Sequence, residues 1–396
     1  MLPLLLTSCV PEVQSSETFM SKKKATSRAP RPARKTAARG ESEATLQGKV
    51  ERADRELLKL LHERASCVQA LGQLRVSAGR PAFSLASEDE RLVQLINQSV
   101  GPFSLHACRA VFREVISGCR SLVRQLRIAY LGPLYTYSHL AGIHRFGQSV
   151  EYAPVGSIAA VFEEVNRRHS DFGIVPIENS TDGRIADTLD MFTRLPVRIC
   201  GEVELEIHHT LLGKCPRADV KEVYSRPQAL SQCRNWLAKH LPGARTIEVT
   251  STTTAAQLAR EKPGAAAIAS MEAGVHYGLD VLAERVEDNP GNTTRFAVIG
   301  KESAERTGSD RCAMMFQTEH RSGALVDALA VFKRNRLNMT WIESFPIPES
   351  KRTYLFFVEL EGHESDVRLR RALATLERKT LRLKILGSFP MTAAAG

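Results

Sequence analysis

Three short segments of this chain set polar side chains where an apolar run stops. In Gly173-Ile-Val-Pro-Ile-Glu178-Asn179-Ser180-Thr181, four polar residues follow an apolar strand. Open α/β sheets hold their ligands at the carboxyl ends of strands. In Asn292-Thr-Thr294-Arg295-Phe296, an arginine stands beside two hydroxyls, a set suited to gripping a carboxylate by paired, charge-assisted hydrogen bonds. In Tyr224-Ser225-Arg226-Pro227-Gln228-Ala-Leu-Ser-Gln232, a strand ends and Pro227 opens a helix, whose free N–H groups attract anions. Each segment would serve equally as an ordinary cap or turn, so taken singly the ligand and structural readings both stay open.

The elements that position these residues fall into three textures. From Val50, apolar residues Val50, Ala53, Leu57, Leu58, Leu61, Ala65, Val68 and Leu71 follow helical spacing. Two more amphipathic helices are expected at about 87–99 and 105–125, separated by Gly79-Arg-Pro81 and Gly101-Pro102. Three helices of unequal length close a monomeric core poorly, and a second copy would help. From Arg127, apolar runs at 128–131, 150–153, 172–175, 203–207, 222–224, 246–249, 266–268 and 296–299 alternate with helical patterns such as 158–168, 228–241 and 253–261. That alternation predicts a mainly parallel sheet divided into two α/β lobes around a cleft. From Arg311, the order strand 312–318, helix 324–335, strands 338–347 and 354–361, helix 366–379 and strand 381–386 gives βαββαβ, the ferredoxin-like split unit.

Composition sets the class. With 396 residues, 43% hydrophobic and 25% charged, the chain has material for two or three globular domains. No apolar run approaches the ~20 residues that span a bilayer. The net charge of +10 is uneven: residues 1–49 hold nine Lys/Arg against four Glu, half the excess in an eighth of the chain. The stretch 21–40 is basic, rich in Ala and Pro and aperiodic, so residues 1–45 are expected as a disordered tail without specific nucleic-acid contact. The run Leu2–Leu6 before Cys9 lacks a positive flank and is short for export, so translation is expected to begin at Met20. Eight scattered cysteines without a C-x-x-C pair favour a reducing cytoplasm over a zinc site or disulfide framework.

Taken together, residues 127–302 resemble the prephenate dehydratase family. The resemblance is carried by Ala129-Tyr-Leu-Gly-Pro133, Thr136-Tyr-Ser138-His139, Val175-Pro-Ile-Glu-Asn179, Gly201-Glu202, Ile207-His-His209, Tyr277-Gly278-Leu279 and Thr294-Arg295-Phe296, in the family's order. Residues 311–392 resemble the ACT regulatory domain of these enzymes, through Gly323-Ala324-Leu325-Val326, Ile342-Glu343-Ser344 and Gly387-Ser-Phe-Pro390. Residues 46–125 are similar to the all-helical chorismate mutase domain of bifunctional P-proteins, with Arg64, Arg75 and Glu88 on its site positions. The implied fold is a three-helix all-α unit, a two-lobed periplasmic-binding-protein-like α/β unit, and an α+β ACT unit.

The resemblance implies conversion of prephenate to phenylpyruvate with no metal or organic cofactor. Thr294 would assist the departing hydroxyl and Glu178 would be the ultimate proton source. Arg295 would anchor a carboxylate, with Thr136, Ser138, Asn179, Ser180, Ser225, Gln232 and Phe296 around the substrate. It also implies a cytoplasmic homodimer or homotetramer inhibited by L-phenylalanine at Gly323, Ala324, Leu325, Val326, Glu343 and Ser344. Several positions depart from the family pattern: Gln47 and Ser87 replace arginines and Val123 a glutamine of the mutase, implying a weak or inactive mutase. Tyr135 stands for glycine, Arg226 for histidine (an extra anion contact), and Phe345 for the arginine after Glu-Ser. A fully bifunctional enzyme, arogenate dehydration and a non-catalytic binding module remain open.

Overall fold

The computed structural model describes residues 41–346 and 354–391; the basic tail with Met20 lies outside them. Helix α1 (Glu43–Ser77) already runs at Glu43 and stops where Gly79 takes φ +68° ahead of Pro81. Helices α2 (Leu85–Asn97) and α3 (Leu105–Ser121) start on serines: Ser84 Oγ accepts from Ser87 N–H, and Ser104 Oγ from Ala107 N–H, each satisfying a donor the first turn leaves free.

The first lobe follows as β1 (Arg127–Leu131), α4 (Tyr137–Phe146), β2 (Glu151–Val155), α5 (Ile158–Asn166), β3 (Phe172–Asn179), β4 (Gly183–Arg184), α6 (Ala186–Arg194) and β5 (Arg198–Glu206). The second holds β6 (Thr210–Gly213), β7 (Glu222–Ser225), α7 (Pro227–Gln232), α8 (Arg234–His240), β8 (Arg245–Glu248), α9 (Thr252–Glu261), β9 (Ala265–Ala269), α10 (Met271–Tyr277) and β10 (Asp280–Ala283). Strand β11 (Thr293–Gly300) then returns to the first lobe. The two crossing segments are tied where Ile207 N–H donates to the Asn292 carbonyl at 2.8 Å.

Both sheets are mixed, which corrects the mainly parallel expectation. Strands β1, β2 and β3 pair in parallel, but β11 inserts antiparallel between β3 and β5. In the second lobe β7 is parallel to β8 and β9, whereas β6 runs antiparallel to β9 and β10. Strand β11, returning from the second lobe, enters the first sheet in reverse. The single helix expected over 228–241 is broken into α7 and α8 at buried Cys233.

The C-terminal unit is β12 (Asp310–Gln317), α11 (Ala324–Arg334), β13 (Met339–Pro346), β14 (Tyr354–Glu361), α12 (Val367–Glu377) and β15 (Arg382–Pro390), an antiparallel sheet in the order β13-β14-β12-β15. Strand alternation gives it two apolar faces. Met314, Phe316, Phe356 and Val358 pack among Ala328, Phe332, Leu369 and Leu376 of its helices. Met315, Leu355, Phe357, Leu386 and Phe389 join a core with Val175, Ile177, Phe192, Ile199 and Ile299 of the first lobe. Gly387 makes that approach possible: at φ +144°, a Cβ there would lie 2.1 Å from the Ile199 carbonyl oxygen.

Candidate active site

A cleft of about 790 Å³ opens between the lobes. Thr294 and Asn179 stand opposite each other on β11 and β3, both nearly buried at 8% exposure. Asn179 Nδ2 donates to Thr294 Oγ1 at 2.8 Å and to Asn292 Oδ1 at 3.0 Å. Asn179 Oδ1 accepts from the N–H groups of Thr181 and Asp182, which fixes its amide. With its oxygen already an acceptor, the Thr294 hydroxyl is free to donate toward the cleft.

The network continues into the second lobe. Asn292 Nδ2 donates to Gln232 Oε1 at 3.0 Å, Gln232 Nε2 donates to Asp182 Oδ2 at 3.0 Å, and His209 Nε2 lies 2.9 Å from Gln232 Oε1. Burial lowers the His209 pKa, which favours the neutral imidazole, and because Gln232 Oε1 can only accept, Nε2 is the donor of that pair. Asn292, Asp182 and the role of His209 escaped sequence reasoning. Asn292 adjoins Thr293-Thr294 in sequence, and that adjacency was the signal available.

Of the expected substrate residues, Thr136, Ser138, Asn179, Gln232, Thr294 and Phe296 line the cleft. Thr136 Oγ1 donates to the Leu131 and Pro133 carbonyls. The loop before it is held by Tyr135, which takes φ +62°. Tyr135 N–H donates to His139 Nδ1 at 3.1 Å, its ring packs 4.5 Å from His276, and Ser270 Oγ donates to its carbonyl. A left-handed backbone there is one that glycine adopts more readily than tyrosine.

Four expected residues are placed elsewhere. The β3–β11 register slips between Arg295 and Phe296; such a bulge re-aims the side chains beside it. The extra residue is on β3, so Asn179 meets the cleft with Pro176 and Glu178 turns to the opposite face. On β11 ordinary alternation sends Arg295 to that same face, between cleft-lining Thr294 and Phe296. Arg295 Nη1 donates to Glu178 at 3.0 Å, and its Nη2 reaches Glu202 at 3.2 Å and both Glu359 oxygens at 2.9 and 3.0 Å. Arg311 joins Glu202 and Glu359, and Trp341 lies 5.4 Å beneath the Arg295 guanidinium. Ser225 is wholly buried and donates to the Ile268 carbonyl at 2.6 Å. Ser180 Oγ accepts from Thr293 N–H at 2.9 Å. None of the four lines the cleft.

The helical unit holds a second pocket of about 170 Å³, lined by Arg64, Arg75, Ser87, Glu88 and, unforeseen, Arg91. Arg91 lies one helical turn beyond Ser87 and presents to the same side. Arg120 Nη2 donates to Glu88 at 2.5 Å, and buried Arg64 Nη1 has no hydrogen-bond partner among the described residues. Glu305, from the segment joining β11 to β12, accepts from Arg75 Nη2 at 3.1 Å and Ser87 Oγ at 3.0 Å. Hydrogen bonds from Ser84, Ser87 and Arg75 hold its carboxyl below the usual range. Val123 does not line this pocket and instead packs against Gly72; Gln47 is exposed on the first turns of α1.

In the C-terminal unit, Gly323 takes φ +80° ahead of α11, Ala324 is buried, Leu325 is half-buried and Val326 is 69% exposed. Arg184 of β4 donates to Glu343 Oε2 at 3.0 Å and to the Ser344 carbonyl. Among the described residues no hydrogen bond or ion pair joins the Gly323–Val326 segment to Glu343–Ser344. Phe345 packs on the core shared with the first lobe.

Comparison with known proteins agrees with this layout. The sequence profile described as prephenate dehydratase matches residues 128–304, and that described as chorismate mutase type II matches residues 46–124. A bifunctional chorismate mutase/prephenate dehydratase of Aquifex aeolicus is 40% identical over 87% of this chain and 97% of its own. Two solved structures share the fold. The prephenate dehydratase of Arthrobacter aurescens, in complex with L-Phe, is 31% identical with a TM-score of 0.63 over 67% of this chain and 90% of its own. A protein described as a quorum-quenching acylase, GqqA, is 28% identical with a TM-score of 0.61 over 67% of this chain and 98% of its own. By identity and coverage, this chain belongs to the bifunctional chorismate mutase/prephenate dehydratase family.

Proposed function

We propose that the cleft converts prephenate to phenylpyruvate, water and carbon dioxide, with Thr294 at the departing hydroxyl. The observation that carries this reading is the Asn179–Thr294 pair at 2.8 Å, in which Thr294 Oγ1 accepts and so keeps its own proton for a group in the cleft. Prephenate loses its ring carboxylate as CO2 while the C4 hydroxyl leaves, and aromatisation drives both. The balance consumes one proton, because the departing hydroxide leaves as water. Thr294 hydrogen-bonds that oxygen as charge develops on it, an interaction stronger in the transition state than before it. Glu178 stands outside the cleft, so the proton reaches the leaving oxygen from solvent by way of Thr294. The full-length chain should form phenylpyruvate from prephenate, with arogenate assayed in parallel. Thr294→Ala should lower kcat about 100-fold with little change in KM; an unchanged kcat refutes the assignment.

The helical unit is read as a weak mutase. Glu305 supports this, since a carboxylate of the chain already holds Arg75 and Ser87, while Arg91 restores one cation to the pocket. Phenylalanine feedback through an ACT-type unit is supported by the open backbone at Gly323 and by Arg184. That arginine connects Glu343 and Ser344 to the hairpin carrying Asn179. Pairing of two copies is supported by α1, whose Leu57, Leu58, Leu60, Leu71 and Leu74 are exposed. The seven described cysteines are free, which supports the cytoplasm.

A further inference from the structure

Prephenate is a dianion, and a cleft that takes it must offset charge. With Arg295 turned to the far face, the cation expected from the sequence is missing from the place where it would act. Among the described residues lining the cleft, Arg226 is the one arginine or lysine. The one histidine there, His209, is kept neutral by burial. Acidic residues Asp182 and Asp187 also line the cleft, so without Arg226 its wall is net negative and would repel the substrate.

Arg226 is placed for the task. It precedes Pro227 at the start of α7 on the second lobe, its side chain is exposed, and its guanidinium makes no hydrogen bond or ion pair among the described residues. A neighbour already has a partner: Asp182 accepts from Gln228 and Gln232 of α7. An unpaired guanidinium at the mouth of a polar cleft presents a planar fork that matches a carboxylate in two parallel bonds.

The chemistry decides which carboxylate it holds. The ring carboxylate must leave as neutral CO2, and a cation gripping it would stabilise the charge that has to be lost. The pyruvyl carboxylate survives unchanged, so binding energy there helps to hold the ring against Thr294 without opposing the reaction. We infer that Arg226 is the cleft's carboxylate anchor and grips the pyruvyl carboxylate of prephenate from the second lobe. Thr294 meets the C4 hydroxyl from the first lobe. The ring carboxylate then lies among neutral groups such as Pro176, Ile207 and Phe296.

This inference rests on the dehydratase reading, and the two fail separately. In the full-length enzyme, Arg226→Gln should raise KM for prephenate about 30-fold and leave kcat within about threefold, the mark of binding that is uniform in ground and transition states. Arg226→Lys should recover part of the loss. Phenylpyruvate, which keeps the same carboxylate, should bind the wild type measurably by calorimetry and Arg226→Gln at least tenfold more weakly. The wild-type KM should rise more steeply with salt than that of Arg226→Gln. Absence of phenylpyruvate production by the wild type would overturn the dehydratase reading. A working Arg226→Gln enzyme with unchanged KM and unchanged phenylpyruvate affinity would overturn the anchor alone.

Discussion

Arg295 meets both carboxylate oxygens of Glu359, one residue from Thr294 in sequence and on the opposite side of the same strand. Two arginines and three glutamates converge there: Arg295 and Arg311 with Glu178, Glu202 and Glu359. The side chain of Glu359 is 1% exposed, and burial alone would drive its pKa upward, against the pull of both arginines. This cluster anchors β11 to β14, so the strand that carries Thr294 is braced by the C-terminal sheet.

Replacing Arg295 therefore harms the fold before it harms substrate binding. Arg295→Gln removes both hydrogen bonds that Arg295 gives buried Glu359 and leaves it Arg311 alone, at 3.4 Å, a loss of about 3–5 kcal/mol. The melting temperature should fall by about 10 °C, while the KM of the enzyme that remains folded stays within about twofold. A large KM increase with an unchanged melting temperature would return Arg295 to the substrate. Calorimetric melting beside steady-state kinetics separates the outcomes, and Arg226→Gln gives the opposite pattern.

Glu305 offers a second separation. If its carboxylate competes with a ligand carboxylate for Arg75 and Ser87, then Glu305→Gln should raise chorismate turnover about tenfold, equivalent to roughly 1.4 kcal/mol. Dehydratase rates should not change. Robust chorismate turnover by the wild type contradicts the weak-mutase reading. A low rate that Glu305→Gln leaves low contradicts the competition.

Stability should also depend on pH through His139. Burial pushes its pKa down to about 4 from the usual 6.5, and its Nδ1 accepts from Tyr135 N–H. The folded protein holds this imidazole neutral while the unfolded chain protonates it. Stability is thus full above pH 6.5 and falls as pH drops toward 4, by up to about 1.4 kcal/mol per pH unit. Melting temperatures between pH 7 and 4.5 should decline, and less steeply in His139→Gln. A decline identical in both proteins would remove His139 as the cause.

The sequence made some of this legible. Helical spacing found α1, α2 and α3, and polar residues at strand ends marked Asn179 and Thr294. Alternation failed at β3, where a one-residue bulge exchanges the facing of Glu178 and Asn179, and no residue type announces it. Ser225 looked like a ligand group because a hydroxyl at a strand end is ambiguous until its burial is known; its partner is the Ile268 carbonyl. Arg226 was visible as a departure, but its importance depends on where Arg295 points. Glu305 sits in a segment without periodicity, and its contacts are more than 200 residues away in sequence. Short elements such as α10, β6 and β10 carry too few residues to show a period.

The interior shared by Met315, Leu355, Phe357, Leu386 and Phe389 with Val175, Ile177, Ile199 and Ile299 bears on how such chains are assembled by recombination. A boundary drawn at Asp310 divides the sequence neatly but cuts through one packed core, and Gly387 against Ile199 leaves no slack for a different side chain. Swapping this C-terminal unit between relatives would bring together two surfaces shaped by different histories. The exchangeable piece is therefore the sheet together with the face it covers. A truncation meant only to relieve inhibition would instead bare a greasy surface prone to self-association.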